Sequence, residues 1–181
     1  FFSLRTAKQL SSLEKLPTSG VIRIEAYDIA HMGGKNMVGV MTVVEDGQVN
    51  KNEYKKFNFH TQNDSNDTGA LREVLERRFK HTEWTMPGLI VVDGSMAQIN
   101  VAKAVLKVYG LSIPIVSVVK DDKHKPKVIA SSLGKVFLRS SGEVTRPFEK
   151  LSQASILLAN SEAHRFAINY HKNLRNKNFL K

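Results

Sequence analysis

The chain has 181 residues, 41% of them hydrophobic and 24% charged, which is the balance of a globular protein long enough to bury a core. It contains no cysteine, which excludes disulfides, thiolate catalysis and cysteine-bound zinc. No apolar run approaches the roughly 20 residues of a membrane span. A net charge of +10 and a pI of about 9.8 predict a polyanionic partner, with nucleic acid favoured over an acidic membrane surface.

The chain begins at Phe1 rather than at a methionine, so we expect a piece of a longer protein, and the missing targeting signal carries little weight. We predict three segments: a linker or helix remnant over residues 1–20, one globular domain over 21–175, and a basic tail over 176–181. Basic residues form four clusters that a fold could bring to one face: Lys51–Phe57, Glu76–His81, Lys120–Lys127 and His171–Lys181.

Three strand-like runs open the predicted domain. They cover Val21–Ala30, Asn36–Glu45 and Gln48–Phe59. Hairpin turn signals separate them at Met32–Asn36 and Glu45–Gln48. The sequence therefore predicts an antiparallel three-stranded meander, followed by an exposed polar loop.

Helices and buried strands alternate after that loop. Apolar residues at helical spacing predict a helix over Ala70–Lys80. Continuous apolar runs at Gly88–Gly94 and Ile113–Val119 predict strands that are buried on both faces. Between them, a capping box at Ser95 predicts a helix that runs to Tyr109 and ends at Gly110.

Residues 120–150 read as loop-rich, with a small hairpin around Val136–Leu138, and a long helix over Leu151–Leu174 closes the chain. Three antiparallel strands followed by α/β units predict an α/β fold, with a mixed sheet flanked by helices.

Two carboxylates stand at notable strand positions. One face of the first strand carries three apolar side chains and then an acid: Ile22, Ile24, Ala26 and Asp28. Asp93 ends a buried strand, at the carboxyl end where open α/β sheets bind ligands. If the two strands are neighbours, Asp28 and Asp93 converge, and a divalent cation such as Mg²⁺ would supply the counter-charge. A basic protein with this site is a candidate metal-dependent phosphodiesterase.

Simpler interpretations of the two acids stay open at this point. Asp93 could cap the helix that follows it. Asp28 could pair with an arginine such as Arg23 or Arg165.

Six blocks of the chain occur in an order and at a spacing known from one family: Tyr27–His31, Glu53–Phe59, Asp67–Phe79, Pro87–Ala102, Ile113–Lys120 and Glu162–Arg175. They resemble the C-terminal endonuclease domain of UvrC, the nuclease subunit of bacterial nucleotide excision repair. The resemblance implies an RNase H-like fold related to endonuclease V. It also implies a cut on the 5′ side of a DNA lesion with a divalent metal, Mg²⁺ or Mn²⁺, while a separate N-terminal nuclease domain makes the 3′ cut.

The resemblance assigns catalytic roles to Asp28 and Asp93 and adds His164. A histidine there could be a metal ligand or could transfer protons near neutral pH.

Four further positions are candidates by the same resemblance. Asp67 matches an acid linked to activity, although it could instead be a helix N-cap. Lys120 could contact a phosphate or lie at the surface, and His31 stands beside the first acid. Arg165 could touch DNA or neutralise an acid, and Glu162 is expected to pair with a basic neighbour.

The chain departs from the family pattern at three places. Ala30 replaces the usual serine of the first motif, Ser95 replaces the second glycine after the second acid, and Asn160–Ser161 replaces an Arg-Asp pair. None of these changes removes a catalytic candidate, so we expect a divergent but active domain.

The expected partners are damaged double-stranded DNA and, in the full-length protein, a UvrB–DNA complex in the bacterial cytoplasm, with no membrane. We expect the fragment to lack the N-terminal nuclease domain, the UvrB-binding segment and the C-terminal helix-hairpin-helix pair. Two rival hypotheses are an endonuclease V-like enzyme acting at deaminated bases and a basic DNA-binding module without turnover.

Overall fold

A seven-stranded mixed sheet with helices on both faces forms the centre of the computed structural model. The structure describes residues 22–32, 36–59, 66–120, 126–130 and 152–179. The strands, in chain order, are β1 Arg23–Met32, β2 Asn36–Glu45, β3 Gln48–Val49, β4 Lys55–Asn58, β5 Leu89–Asp93, β6 Ile115–Lys120 and β7 Pro126–Ala130. The helices are α1 Asp67–Lys80, α2 Met96–Val108 and α3 Gln153–Phe179, with a one-turn 3-10 helix at Lys51–Glu53.

The strand order is β3-β2-β1-β5-β6-β7, and β4 also pairs with β2. The pairs β1–β2, β2–β3, β2–β4 and β6–β7 are antiparallel, whereas β1–β5 and β5–β6 are parallel. This arrangement confirms the predicted α/β mixed sheet and makes β1 the neighbour of β5.

The two faces of the sheet bury separate cores. Helix α3 covers one face, where the buried side chains include Ile24, Ala26, Leu89, Val91, Ile156, Ala159, Ala163 and Ala167. Helices α1 and α2 cover the other face, where they include Tyr27, Met41, Val74, Ile90, Val92 and Ile99. Alternate residues of β1 therefore enter different cores, which is the period-2 pattern of a central strand.

Glycine is required where α1 crosses β2. A Cβ atom added at Gly39 would lie 2.3 Å from Cγ2 of Val74 on α1. Any side chain at this position would therefore require Val74 to shift.

Within the described part of the chain, no helix combines the length and hydropathy that crossing a bilayer requires.

Two predictions about strands were wrong. The single strand predicted over Gln48–Phe59 is two short strands, β3 and β4, separated by the 3-10 helix, which buries none of its residues. Asn50 bonds to Glu45 Oε2 at 2.8 Å, and the polar run Lys51–Glu53 has no apolar side chain to alternate into a core. The second error was the omission of a strand from the segment 120–150, predicted to be loop-rich, since β7 at Pro126–Ala130 pairs with β6.

Other predicted boundaries hold to within a few residues. Helix α1 begins at Asp67 rather than Ala70, and α3 extends to Phe179 rather than ending at Leu174. Ser95 and Gln98 form the predicted capping box, and Gly110 follows α2 with a φ of 66°. The predicted remnant over 1–20 and the hairpin around Val136–Leu138 lie outside the described residues.

Candidate metal centre

Sheet register brings the two predicted acids side by side. Tyr27 on β1 pairs with Val92 on β5, so Asp28 and Asp93 are the next residues along two parallel neighbouring strands. Both lie in alternation with residues of the core beneath α3, namely Ala26 and Val91. The two carboxylates therefore project from the same face at the carboxyl ends of adjacent strands.

A glycine turns the chain away immediately after the second acid. Gly94 has a φ of 119°, a conformation that other residues rarely adopt. The turn leads into the capping box of Ser95 and Gln98, which begins α2. Because Ser95 is the N-cap, the interpretation of Asp93 as merely a helix cap was wrong.

His164 reaches the acids from α3. This helix buries alanines at positions 159, 163 and 167 against the sheet, and their small side chains permit a close approach. His164 follows Ala163, and its Nδ1 lies 3.3 Å from Oδ2 of Asp28. One ligand atom from each of Asp28, Asp93 and His164 lies within 4.8 Å of the other two. The structure therefore brings together the two acids selected from their strand positions and the histidine that the family resemblance added.

The electrostatics of this cluster favour a cation. Burial raises the pKa of the Asp28 carboxyl, the nearby charge of Asp93 raises it further, and His164 opposes both effects. The Asp28 side chain is only 11% exposed, whereas His164 is 58% exposed. Two carboxylates and an imidazole form a donor set that suits a divalent cation. The residues present therefore fit a divalent metal.

The arginine partners considered for Asp28 are engaged elsewhere. Arg23 contacts Glu25, Glu45 and Glu53. Arg165 bonds to Glu162 through Nε at 2.8 Å and Nη2 at 2.5 Å, which confirms that Glu162 pairs with a basic neighbour. Asp28 instead faces His164 and Asp93.

A cleft of about 170 Å³ opens beside the acids. It is lined by Tyr27, Asp28, Ile29, Asp67, Leu71, Asp93, Gly94 and Gln98. The N-cap of α1 is Asn66, whose side chain accepts hydrogen bonds from the amides of Thr68 and Gly69. Asp67 is thus not the N-cap, and its Oδ1 lies 2.5 Å from Nε2 of His31. Asp67 therefore lines the cleft and His31 contacts it, and both lie outside the three-residue cluster.

The remaining sequence candidates lie around this cleft or beyond it. Arg165 is exposed and directed to Glu162. Lys120 ends β6, two residues after Val118, which pairs with Asp93. The side chain of Lys120 lies outside the described part of the structure.

Sequence reasoning missed a buried ion-pair network directly behind Asp28. Glu25 and Arg78 are fully buried, and Arg78 Nη2 lies 2.9 Å from Glu25 Oε1. The Tyr27 hydroxyl donates to Glu25 Oε2 at 2.7 Å, and Arg23 Nε donates to Oε1 at 3.1 Å. Burial, followed by the charge of Glu25, raises the pKa of Tyr27. The network ties β1 to α1 and fixes the strand that carries Asp28.

One signal in the sequence could have revealed that network. Glu25 alternates with Tyr27 on the β1 face opposite Asp28, at a position flanked by the apolar residues Ile24 and Ala26. Arg78 stands beside Phe79 on the apolar side of α1. When an acid occupies a core position of one element and a base occupies a core position of another, the two side chains are expected to form a buried ion pair.

A family model described as the UvrC RNase H endonuclease domain matches residues 9–168. The chain belongs to this family. It is 38% identical over 168 residues to UvrABC system protein C of Finegoldia magna, covering 88% of this chain and 26% of the relative. It is 40% identical over 169 residues to the protein of the same name from Lachnospira eligens, covering 86% and 26%.

The chain therefore spans about a quarter of the length of these UvrC relatives. Membership in the family agrees with the mixed sheet and with the fold that the sequence motifs imply. Among solved structures, human ENDOV is 16% identical, with a TM-score of 0.41, covering 66% of this chain and 60% of that one. A similarity of this size carries no argument about activity.

Proposed function

We propose that this chain is the metal-dependent DNA endonuclease domain of a UvrC protein and that it makes the 5′ incision at lesions during bacterial nucleotide excision repair. The observation that carries this proposal is the cluster of Asp28, Asp93 and His164 within 4.8 Å. The net charge of +10 supports a nucleic-acid substrate.

In this proposal the substrate is damaged double-stranded DNA, presented in the full-length protein by a UvrB–DNA complex in the bacterial cytoplasm. Sequence-independent binding is expected because the lesion, rather than a base sequence, selects the site. Basic side chains that contact phosphates give affinity without base readout, and this affinity weakens as salt rises.

Asp28 and Asp93 would hold Mg²⁺ or Mn²⁺, with His164 at the exposed side of the site. A bound divalent ion of this kind activates water and stabilises the leaving oxygen of a phosphodiester. The chain contributes ligands in fixed positions, because the backbone of each acid is held by strand pairing in the sheet. The open cleft beside Asp93 leaves room for a phosphate group.

The geometry of His164 is compatible with two roles. Its Nδ1 faces Asp28, so this atom could be a third ligand or could donate a hydrogen bond that orients the imidazole. In the second case Nε2 would hold or accept a proton near the reacting phosphate. His164→Gln separates the two roles: weakened Mn²⁺ binding indicates a ligand, whereas unchanged binding with a flattened pH–rate profile indicates proton transfer.

The principal test compares Asp28→Asn and Asp93→Asn with the wild-type chain and with Glu73→Gln. Glu73 lies on α1 and pairs with Arg77 Nη1 at 3.5 Å. This control therefore removes an acid that does not belong to the cluster. Mn²⁺ binding is followed by calorimetry, and metal-dependent nicking of lesion-containing duplex is followed in the full-length protein with UvrB. We expect both Asp variants to lose binding and nicking, while Glu73→Gln keeps both.

Undiminished cutting by Asp28→Asn would overturn the proposal. Intact DNA binding without any Mn²⁺ binding by the wild-type chain would instead support a non-catalytic module. Efficient nicking of inosine-containing DNA without UvrB would favour an endonuclease V-like activity.

A further inference from the structure

Lys56 lies in line with the metal-binding acids across the sheet. It pairs with Val40 on β2, and Val40 pairs with Asp28 on β1. Directly paired residues project from the same face, so Lys56 shares the α3 face with Asp28 and Asp93. Strands are about 4.8 Å apart, which puts the Lys56 Cα roughly 10 Å from that of Asp28.

Aromatic rings of α3 hold the ammonium group of Lys56. Its Nζ lies 4.4 Å from the ring centroid of Tyr170 and 5.2 Å from that of Phe166. The rings are themselves fixed: the Tyr170 hydroxyl donates to Asn58 Oδ1 at 3.3 Å, and Phe166 makes an edge contact with Tyr54 at 5.1 Å. The attraction between a cation and the ring faces therefore orients the lysine.

This lysine keeps its charge available. It is exposed, and within the described ranges no carboxylate forms an ion pair with it. Nearby Arg165, by contrast, is paired with Glu162. Aromatic rings orient an ammonium group without cancelling its charge. A pre-oriented, uncompensated cation beside a phosphodiesterase centre is suited to bind an anion with little loss of side-chain freedom.

We propose that Lys56 binds a backbone phosphate of the DNA strand that is cut, and that Tyr170 and Phe166 position it for this contact. The proposal rests on the proposed function, since it assumes that the scissile phosphate lies at Asp28 and Asp93. With the Lys56 Cα only roughly 10 Å from that of Asp28, the phosphate that Lys56 binds lies close to the scissile phosphate on the same strand. Lys56 thus sets where the strand crosses the site.

The test measures the salt dependence of binding to a fluorescein-labelled DNA duplex, with EDTA present so that neither metal nor cleavage contributes. Each phosphate contact contributes about 0.9 to the slope of log K against log salt. Lys56→Met is compared with Lys107→Met, which removes an exposed lysine from α2 on the opposite face. We expect Lys56→Met to lower the slope by about one ion contact, Lys56→Arg to retain it, and Lys107→Met to leave it unchanged.

The positioning role has its own comparison. Tyr170→Leu removes the ring but keeps the charge of Lys56, whereas Tyr170→Phe keeps the ring and loses only the hydroxyl. We expect Tyr170→Leu to weaken binding severalfold with an unchanged salt slope, and Tyr170→Phe to bind like the wild type. Equal affinity of the Leu and Phe variants would overturn the positioning role. Thermal unfolding of each variant checks that the fold is retained.

An unchanged slope in Lys56→Met, or an equal decrease in Lys107→Met, would overturn the phosphate contact. Because binding is measured without metal, this failure is distinct from failure of the Asp28→Asn nicking test.

A cleavage measurement adds a second readout. Lys56→Met is expected to raise the half-saturating DNA concentration while the rate at saturation is largely kept. A fall in that rate with no change in half-saturation would contradict the contact as well.

Discussion

Replacing Asp28 by asparagine should stabilise the metal-free fold while it abolishes metal binding. Asp28 is nearly buried, and its ligand atom lies within 4.8 Å of one from Asp93. Burial and the like charge both raise the pKa of Asp28, which means that the native state disfavours its ionised form. At pH 7.5 the ionised carboxylate of Asp28 therefore destabilises the metal-free fold. The uncharged amide of asparagine removes this destabilisation.

The magnitude follows from Coulomb's law. Two like charges 4.8 Å apart repel by about 0.9 kcal/mol in water and about 3.5 kcal/mol at an effective dielectric constant of 20. Because Asp93 is exposed, the lower part of this range applies, and the lost contact with His164 offsets some of the gain. We expect Asp28→Asn to gain about 1 kcal/mol in the free energy of unfolding.

The assay is urea unfolding at pH 7.5, once in EDTA and once in Mn²⁺. In EDTA the variant should be the more stable protein. With Mn²⁺ at 100 times its dissociation constant, the wild type should gain about 2.7 kcal/mol, whereas the variant should gain almost nothing. The order of stability should therefore reverse between the two conditions.

Glu73→Gln is the control, because it removes a half-exposed acid of an ion pair near the surface. The free energy of unfolding of this variant should change by less than about 0.5 kcal/mol in either condition. A loss of 1 kcal/mol or more by Asp28→Asn in EDTA would refute the reasoning. It would show that the Asp28 carboxylate stabilises the metal-free fold through its contact with His164.

Three further predictions concern stability. Arg78→Met leaves the Glu25 charge buried with less compensation and should reduce the free energy of unfolding by about 3–5 kcal/mol, measured by urea unfolding. Gly39→Ala forces a Cβ against Val74 and should cost about 1–3 kcal/mol in the same measurement; a change below 0.5 kcal/mol would mean that α1 shifts freely. Ser95→Ala removes the cap of α2 and should lower stability by about 1 kcal/mol while Mn²⁺ affinity, measured by calorimetry, stays within a fewfold of wild type.

Local periodicity was enough to predict much of the candidate site. Alternation in β1 puts Asp28 on a core-facing side, and the apolar run before Asp93 marks a buried strand that ends there. Both conclusions need only a few neighbouring residues, because a strand alternates its side chains regardless of what surrounds it. The capping box at Ser95 is local for the same reason.

Local patterns did not predict how the sheet is completed. The run over Gln48–Phe59 has strand-like composition, yet a 3-10 turn divides it. The strand Pro126–Ala130 forms by antiparallel pairing with β6. Such pairing depends on contacts with a partner strand, which outweigh weak local preferences.

Most helices and strands, the two acids at strand positions, the basic character and, through the motifs, the family could be predicted from the amino-acid sequence. The three-dimensional fold was needed to show that β1 lies beside β5 in the register that aligns Asp28 with Asp93. It was also needed to show that His164 reaches the site from α3 and that Lys56 lies two strands away on the same face. These relations join residues up to 136 positions apart, and they follow from strand order and helix packing, which no local period encodes.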